Sequence, residues 1–204
     1  MSTATHPPAV AAAPLPPPSE VYRLTVDQFD RMVRDGTLGE DEPVELLNGV
    51  LVKTMPKNPA HRVGLRKTIL ALQKLIPAGW HVAKEESLTV GPGCKWEPDA
   101  AVLRAELEFD ASRDATAADC CLVIEVSDTS LARDRTEKLA GYARAGVPVY
   151  WIVNLVDGRV EVHANPDLAT GRYLDHATYR PGDSTPVVVD GREAGRIDAA
   201  DLLP

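Results

Sequence analysis

Residues 120–154 read CCLVIEVSDTSLARDRTEKLAGYARAGVPVYWIVN, and this stretch decides the fold. Its apolar segments 120–126 and 147–153 are continuous, which is typical of strands in a sheet that is covered on both faces. One polar residue, Glu125, lies inside the first segment. A buried carboxylate costs several kcal/mol unless a cation or hydrogen-bond donors contact it. The sequence therefore predicts a cation or donor groups beside Glu125.

The segment between the two predicted strands has the signals of a helix. Asp134 and Glu137 have the spacing of a capping box, which predicts a helix that begins at Asp134. Gly146 followed by Pro148 is a helix stop signal. The stretch is therefore predicted to form a strand, a loop, a helix and a second strand.

The composition is that of one globular domain. The chain has 204 residues, 44% of them apolar, and no apolar run of membrane-span length. It has three cysteines, and Cys120 and Cys121 are adjacent in a predicted strand. This usage indicates free thiols in a reducing compartment, so we expect a cytoplasmic protein without a membrane partner. The net charge of -8 argues against broad, non-specific binding of nucleic acid but allows a local basic patch.

The first residues differ in composition from the rest of the chain. Residues 1–19 contain six prolines and five alanines, and no Lys or Arg precedes the apolar residues. Because prolines interrupt every apolar segment, the pattern is not that of a secretory signal. We predict a disordered tail over residues 1–20 and one domain over residues 21–204.

Shorter patterns predict the remaining elements. Thr25 and Gln28 have capping-box spacing, and Asn48-Gly49 is a strong hairpin turn. Strands after residue 158 are predicted to form antiparallel structure that closes one side. The other predicted elements are a helix over 25–33, a hairpin over 44–54, a helix over 59–76, and strands over 81–90 and 96–103.

Two carboxylates are predicted at the ends of neighbouring strands. Asp99 begins its strand, and together with Glu125 it offers the oxygen ligands that Mg²⁺ requires. Asp134, Lys138 and Tyr142 are spaced four residues apart, so they lie on one stripe of the predicted helix. The alternative interpretations are a helix cap for Asp134, a solvated side chain for Lys138 and a core aromatic residue for Tyr142.

Two earlier residues have two interpretations each. Glu45, on the first strand of the hairpin, either points outward or reaches the site. His61, in the first turn of the helix over 59–76, is either a surface residue or faces the same cavity as Glu125.

Four motifs together resemble a known family. They are VELLNGVLVK at 44–53, PDAAV at 98–102, LVIEVSDTS at 122–130 and DRTEKLAGYARAGVPVYWIVN at 134–154. They resemble the Uma2 family of restriction-endonuclease-like proteins, within the PD-(D/E)xK nuclease superfamily, over roughly residues 22–190. The resemblance implies an α/β (α+β) fold of the restriction-endonuclease type. Such a fold has a central mixed sheet, flanking helices and a divalent metal at one edge.

The resemblance also implies roles for individual residues. In the nuclease hypothesis given below, His61 would contact phosphate or water. The superfamily's lysine is expected two residues after Glu125, where this chain has Ser127, and the resemblance places it instead at Lys138 on the next helix. The ligands of Mg²⁺ or Mn²⁺ would be Asp99, Glu125 and Glu45.

The favoured hypothesis is a metal-dependent endonuclease that hydrolyses DNA, in which Lys138 positions water or stabilises charge. One alternative is a nucleic-acid or protein-interaction module without activity, and another is a small-molecule metallohydrolase. A homodimer is expected if both DNA strands are cut, because that requires two sites. The candidate phosphate contacts are Arg62, Arg66, Lys67, Arg133 and Arg135.

Overall fold

The structure is a computed structural model that describes residues 20–39, 42–110 and 112–204. The predicted tail, apart from residue 20, lies outside the described residues. No helix in these ranges is long and apolar enough to cross a membrane. The helices are α1 Val26–Arg34, α2 Pro59–Leu72, α3 Leu131–Arg133 and α4 Leu139–Ala145, with a π-helical turn at Asp134–Lys138 between α3 and α4 and short 3₁₀ helices at Ala105–Phe109, Ala117–Asp119 and Ala199–Asp201.

The strands form a large sheet, a smaller sheet and a separate hairpin. They are β1 Val44–Leu47, β2 Val50–Lys53, β3 Trp80–Lys84, β4 Leu88–Gly91, β5 Cys94–Trp96, β6 Ala100–Arg104, β7 Ala115–Thr116, β8 Cys120–Ser127, β9 Val149–Asn154, β10 Arg159–Asp167, β11 Arg172–Tyr179, β12 Ser184–Val189 and β13 Arg192–Asp198. The large sheet has the order β11-β10-β9-β8-β6-β3 and the smaller sheet has the order β2-β1-β5-β4-β7. The hairpin is β12-β13.

The large sheet is the predicted central mixed sheet. β8 and β9 are parallel, whereas its other neighbouring strands are antiparallel. Every residue of β8 and β9 is buried, as their continuous apolar sequences predict. One face of the sheet packs against α2 and the β12-β13 hairpin, and the other packs against α4 and the smaller sheet. The predicted fold class is confirmed, including the antiparallel strands on the C-terminal side.

The alternation of β8 decides where Glu125 points. Ile124 and Val126 belong to the core on the α2 side, whereas Val123 belongs to the core on the α4 side. Because successive side chains of a strand point to opposite faces, Glu125 and Ser127 lie on the α4 side with Val123.

Two predicted strands are each divided in two. The segment 81–90 forms β3 and β4, which lie in different sheets, and the chain turns at Glu85, where φ is 51°. The segment 96–103 is likewise divided, because β5 and β6 lie in different sheets and Pro98, which has no N–H to donate, stands between them. Asp99 consequently stands directly before β6, at the point where the chain enters the large sheet.

The predicted signals near the N-terminus and after α4 are confirmed. The Thr25 and Gln28 side chains form a capping box at the start of α1. The Asn48-Gly49 turn joins β1 to β2. Gly146 ends α4 with φ at 80°, a left-handed conformation that favours glycine.

Two predicted helix boundaries are wrong. α2 ends at Leu72 rather than at residue 76, because the N–H groups of Leu75 and Ile76 both bond to the Leu72 carbonyl and tighten the last turn. The helix after β8 begins at Leu131, three residues before Asp134. The predicted cap at Asp134 is absent because its carboxylate accepts hydrogen bonds from hydroxyl groups, as described below.

Candidate metal and catalytic site

Four buried carboxylates line one cavity of about 90 Å³, and three of them, Glu45, Asp99 and Glu125, lie on or beside strands. Glu125 lies on β8, and Asp99 precedes β6, the neighbour of β8 in the large sheet. Glu45 lies on β1 and is only 5% exposed, so it lines this cavity rather than pointing into solvent. The Glu97 N–H fixes Glu45 by donating to its Oε1 at 3.0 Å. Residues that are distant in the sequence therefore meet where the two sheets adjoin.

A buried ammonium contacts two of the carboxylates. Lys138 Nζ lies 2.8 Å from Glu125 Oε1 and 3.3 Å from Glu45 Oε1. The Tyr142 hydroxyl donates to the same Glu125 oxygen at 2.8 Å. Lys138 is 5% exposed and ends the π-helical turn, an irregularity often found at functional sites. The predicted stripe is therefore present and faces β8, and Lys138 is not a solvated lysine.

Asp99 is held through its Oδ2 atom. This oxygen accepts the Val126 N–H at 2.8 Å and lies 3.0 Å from His61 Nε2. His61 is 8% exposed and lines the cavity. Its position follows from Asn58, whose side chain caps α2 by accepting the His61 N–H at 2.9 Å. The other oxygen of Asp99, Oδ1, lies 3.2 Å from Lys57 Nζ.

Each of the three carboxylates has one oxygen fixed by the protein and one that is loosely held. Within the described ranges, Asp99 Oδ1 contacts only Lys57, and Glu45 Oε2 has only an Arg133 nitrogen at 3.9 Å. Glu125 Oε2 has no hydrogen-bond or ion-pair partner among these residues. Three oxygens in one cavity are thus available to a ligand.

Two further buried atoms at the cavity lack partners. His61 Nδ1 and Asp134 Oδ1 form no hydrogen bond with any described residue. Buried polar atoms are almost always paired with protein or water, so these two atoms indicate a place for water or another ligand. Hard divalent cations bind carboxylate oxygens and keep several water molecules. The residues present therefore fit a hydrated divalent cation.

Burial shifts the pKa values of these groups. It raises the pKa of Glu125 to about 8, and the neighbouring carboxylates add to that effect although Lys138 opposes it. Burial alone would lower the pKa of Lys138, but the carboxylates around it raise this pKa. Burial likewise opposes the ionisation of Asp99, yet His61 and Lys57 lower the pKa of that carboxyl group. Six carboxylates but only three permanent cations line the cavity, so an added cation would relieve its negative charge.

Ser127, at the position where the superfamily's lysine is expected, forms a hydrogen bond with Asp134. It is fully buried, and its hydroxyl donates to Asp134 Oδ2 at 2.7 Å. The Ser130 hydroxyl donates to the same oxygen at 2.6 Å, and the Tyr150 hydroxyl donates to the Asp134 carbonyl at 3.2 Å. These contacts hold the first turn of the helix against β8.

Sequence reasoning missed several polar residues of the cavity, among them Lys57, Asn58, Glu97 and Asp128. The Asn58-Pro59 pair is a helix N-cap signal and could have identified Asn58. Lys57 and Glu97 have no sequence signal, because only the folded chain brings their loops beside Asp99.

The predicted phosphate contacts fall into different regions. Arg133 lines the cavity. Arg135 pairs with Glu161, and Lys67 donates to the Leu203 carbonyl at 2.6 Å, and neither lines the cavity. The remaining two residues, Arg62 and Arg66, lie on the exposed side of α2.

The mixed sheet and its carboxylate cavity define a protein of the restriction-endonuclease-like nuclease fold. A solved structure shares this fold with a TM-score of 0.67, at 16% identity, over 88% of this chain and 97% of the other. It is the crystal structure of "a putative nuclease belonging to DUF820" from Anabaena variabilis ATCC 29413. The model of the Uma2 family, described as "Putative restriction endonuclease", matches residues 26–194, and the chain belongs to this family. No curated protein sequence matches the chain.

Proposed function

We propose that this protein is a metal-dependent endonuclease that hydrolyses phosphodiester bonds in DNA. The observation that carries the proposal is the cavity in which Asp99, Glu125 and Glu45 each keep one oxygen available to a ligand. Membership of a family described as restriction endonucleases supports the reaction class. A bound Mg²⁺ or Mn²⁺ would lower the pKa of water and stabilise negative charge on the phosphate.

The chain's own residues prepare the carboxylates for this task. The Val126 N–H and His61 hold Asp99 Oδ2, which leaves Oδ1 for the metal. The contacts of Lys138 with Glu125 and Glu45 reduce the repulsion between these carboxylates. The same ammonium lines the cavity, where it can stabilise charge that develops on a substrate phosphate.

Cleavage of supercoiled plasmid tests the proposal. We expect nicked or linear DNA with Mg²⁺ or Mn²⁺ and no cleavage with a chelator. Asp99→Asn keeps a side-chain oxygen for the Val126 N–H but removes the charge, so its rate should fall at least about 100-fold. Glu137→Gln, which removes an exposed carboxylate from the π-helical turn, is the matched control and should cut normally. Equal rates for wild type and Asp99→Asn would contradict the proposal.

A second candidate function is nucleic-acid binding without cleavage. Ser127, in the place of the superfamily's lysine, favours it. Binding of DNA by wild type without cleavage under any divalent metal would establish this alternative. The small-molecule metallohydrolase is disfavoured, because the cavity of about 90 Å³ is too small for a typical ligand pocket and is lined mainly by polar residues. A homodimer is expected if the enzyme cuts both strands, and sedimentation measures this directly.

A further inference from the structure

A groove between α2 and β3 adjoins the site. Its volume is about 550 Å³, and Lys57 lines both the groove and the metal-site cavity. Four basic residues line the groove, whereas Glu85 is its one carboxylate. The whole chain has the opposite balance, with 22 basic and 30 acidic residues. The groove is therefore a local positive surface beside a negatively charged cavity.

Two arginines of this groove are available to a ligand. Arg62 and Arg66 are exposed on α2, one helical turn or about 6 Å apart, and neither forms an ion pair with any described residue. Elsewhere in the described chain, arginines such as Arg113, Arg135 and Arg159 pair with carboxylates. Arg62 donates from one guanidinium nitrogen to the Lys57 carbonyl at 2.9 Å, but neither guanidinium has a carboxylate partner among the described residues, and a planar guanidinium is well suited to bind phosphate through two hydrogen bonds.

The floor of the groove is apolar. Ile69 and Leu70 lie on it, and the Leu70 side chain is 51% exposed. Residues 1–19 contain neither Asp nor Glu, so this segment of the chain has no negative side chain that could complement the basic groove. A duplex presents its phosphates and sugars outward and leaves an apolar floor unused. An unpaired strand offers phosphates to the basic rim and base faces to the apolar floor.

We infer that this groove binds an unpaired stretch of a nucleic-acid strand and leads it past Lys57 to the metal site. The inference rests on the proposed function and adds the form of the substrate. The contacts involve phosphates and base faces, so the groove itself does not distinguish deoxyribose from ribose. Substrates with a flap, a gap or a frayed end would then be cut in preference to a fully paired duplex.

Fluorescence anisotropy without metal separates strand binding from cleavage. The probes are a labelled oligothymidylate, an oligouridylate of equal length and a DNA duplex. We expect both single strands to bind about equally and more tightly than the duplex. Arg62→Ala/Arg66→Ala should weaken strand binding about tenfold and reduce the log–log salt slope by about 1.4, because two phosphate contacts are lost. Arg172→Ala/Arg192→Ala, which removes the same charge from exposed positions on β11 and β13, should change neither.

Leu70→Asn tests the floor. It should reduce the affinity for single strands several-fold with the salt slope unchanged, since no phosphate contact is lost. Wild-type affinity in both the double variant and Leu70→Asn would overturn the inference, and so would tighter binding of the duplex. If Leu70→Asn instead dissociated a dimer and left strand binding intact, the face would be a subunit interface and the inference would fall.

The two proposals fail separately. Asp99→Asn should keep strand binding and lose cleavage, since Asp99 does not line the groove. Loss of cleavage in Asp99→Asn together with normal strand binding by the groove variants would overturn only the inference about the groove. Strand binding that depends on Arg62 and Arg66, without cleavage by wild type, would overturn only the proposed endonuclease.

Discussion

The Lys138 ammonium lies between two buried carboxylates, 2.8 Å from Glu125 Oε1 and 3.3 Å from Glu45 Oε1. All three side chains are at most 6% exposed. A buried carboxylate that loses its cation keeps the cost of desolvation without the compensating attraction. The contacts of Lys138 therefore stabilise the fold and also belong to the candidate site.

Lys138→Ala should destabilise the metal-free protein by about 3–5 kcal/mol, because it leaves the carboxylates unpaired. Urea unfolding measures this change. Lys74→Ala, at an exposed position just after α2, is the matched control and should stay within about 0.5 kcal/mol of wild type. Mn²⁺ should restore part of the lost stability, because it supplies positive charge to the same cavity. An unchanged unfolding free energy for Lys138→Ala would show that the ion pairs contribute nothing.

Glu125→Gln should separate the metal from the fold. Burial opposes ionisation of Glu125 and raises its pKa to about 8, so a neutral amide avoids this cost, and its oxygen can still accept from Lys138 Nζ and the Tyr142 hydroxyl. We expect the metal-free variant to stay within about 1 kcal/mol of wild type. Saturating Mn²⁺ should raise the melting temperature of wild type by about 5–10 °C but not that of the variant. Calorimetry should show lost Mn²⁺ affinity, and equal affinities for the two proteins would exclude Glu125 as a ligand.

His163 predicts an acid-sensitive step in stability. Burial and the adjacent His176 lower the pKa of His163 to about 4, from an ordinary value of 6.5. At pH values between 4 and 6.5, this histidine binds a proton in the unfolded chain but not in the folded chain. The free energy of unfolding therefore has its full value above pH 6.5 and decreases as the pH falls towards 4. Partial exposure of His163 reduces the effect to roughly 1 kcal/mol between about pH 7.5 and about pH 5.5.

His163→Phe isolates this contribution. The substitution keeps a ring against Tyr150 and His176, and His163 Nε2 has no hydrogen-bond partner to lose among the described residues. Denaturant unfolding at the two pH values should show a smaller loss of stability for the variant than for wild type. The same loss in both proteins would assign the acid sensitivity to other groups.

The sequence predicted the large sheet because the relevant signals are local. The continuous apolar runs of β8 and β9 are visible without any knowledge of their neighbours. A carboxylate inside such a run, at Glu125, is equally visible, and so is the stripe that carries Lys138 and Tyr142. The fold and the centre of the candidate site therefore followed from residue order, and the resemblance to Uma2 added Glu45.

The errors arose where tertiary contacts decide the local structure. Capping-box spacing at Asp134 was a valid local signal, but the Ser127 and Ser130 hydroxyls hold its carboxylate and the helix begins earlier. The turn at Glu85 divides a continuous pattern because β3 and β4 join different sheets. Lys57 was missed because its loop is adjacent to Asp99 only in the folded chain.

Lys57 gives the last prediction, which concerns competition for Asp99. Its ammonium lies 3.2 Å from Asp99 Oδ1, the oxygen that we propose for the metal, and it also pairs with Glu85. A divalent cation must share or displace this contact. Partly exposed ion pairs contribute about 0.2–1 kcal/mol, so Lys57→Ala should raise Mn²⁺ affinity by up to about fivefold. At saturating metal, cleavage by the variant should nevertheless be slower. In the wild type, the ammonium that the metal displaces from Asp99 can contact a substrate phosphate, and the variant lacks this group.

Lys84→Ala is the matched control, because the Lys84 ammonium pairs with Glu85 but not with Asp99, and it should leave Mn²⁺ affinity unchanged. Calorimetry and single-turnover cleavage measure the two effects, and weaker Mn²⁺ binding by Lys57→Ala would show that Lys57 supports the metal site rather than competing for it.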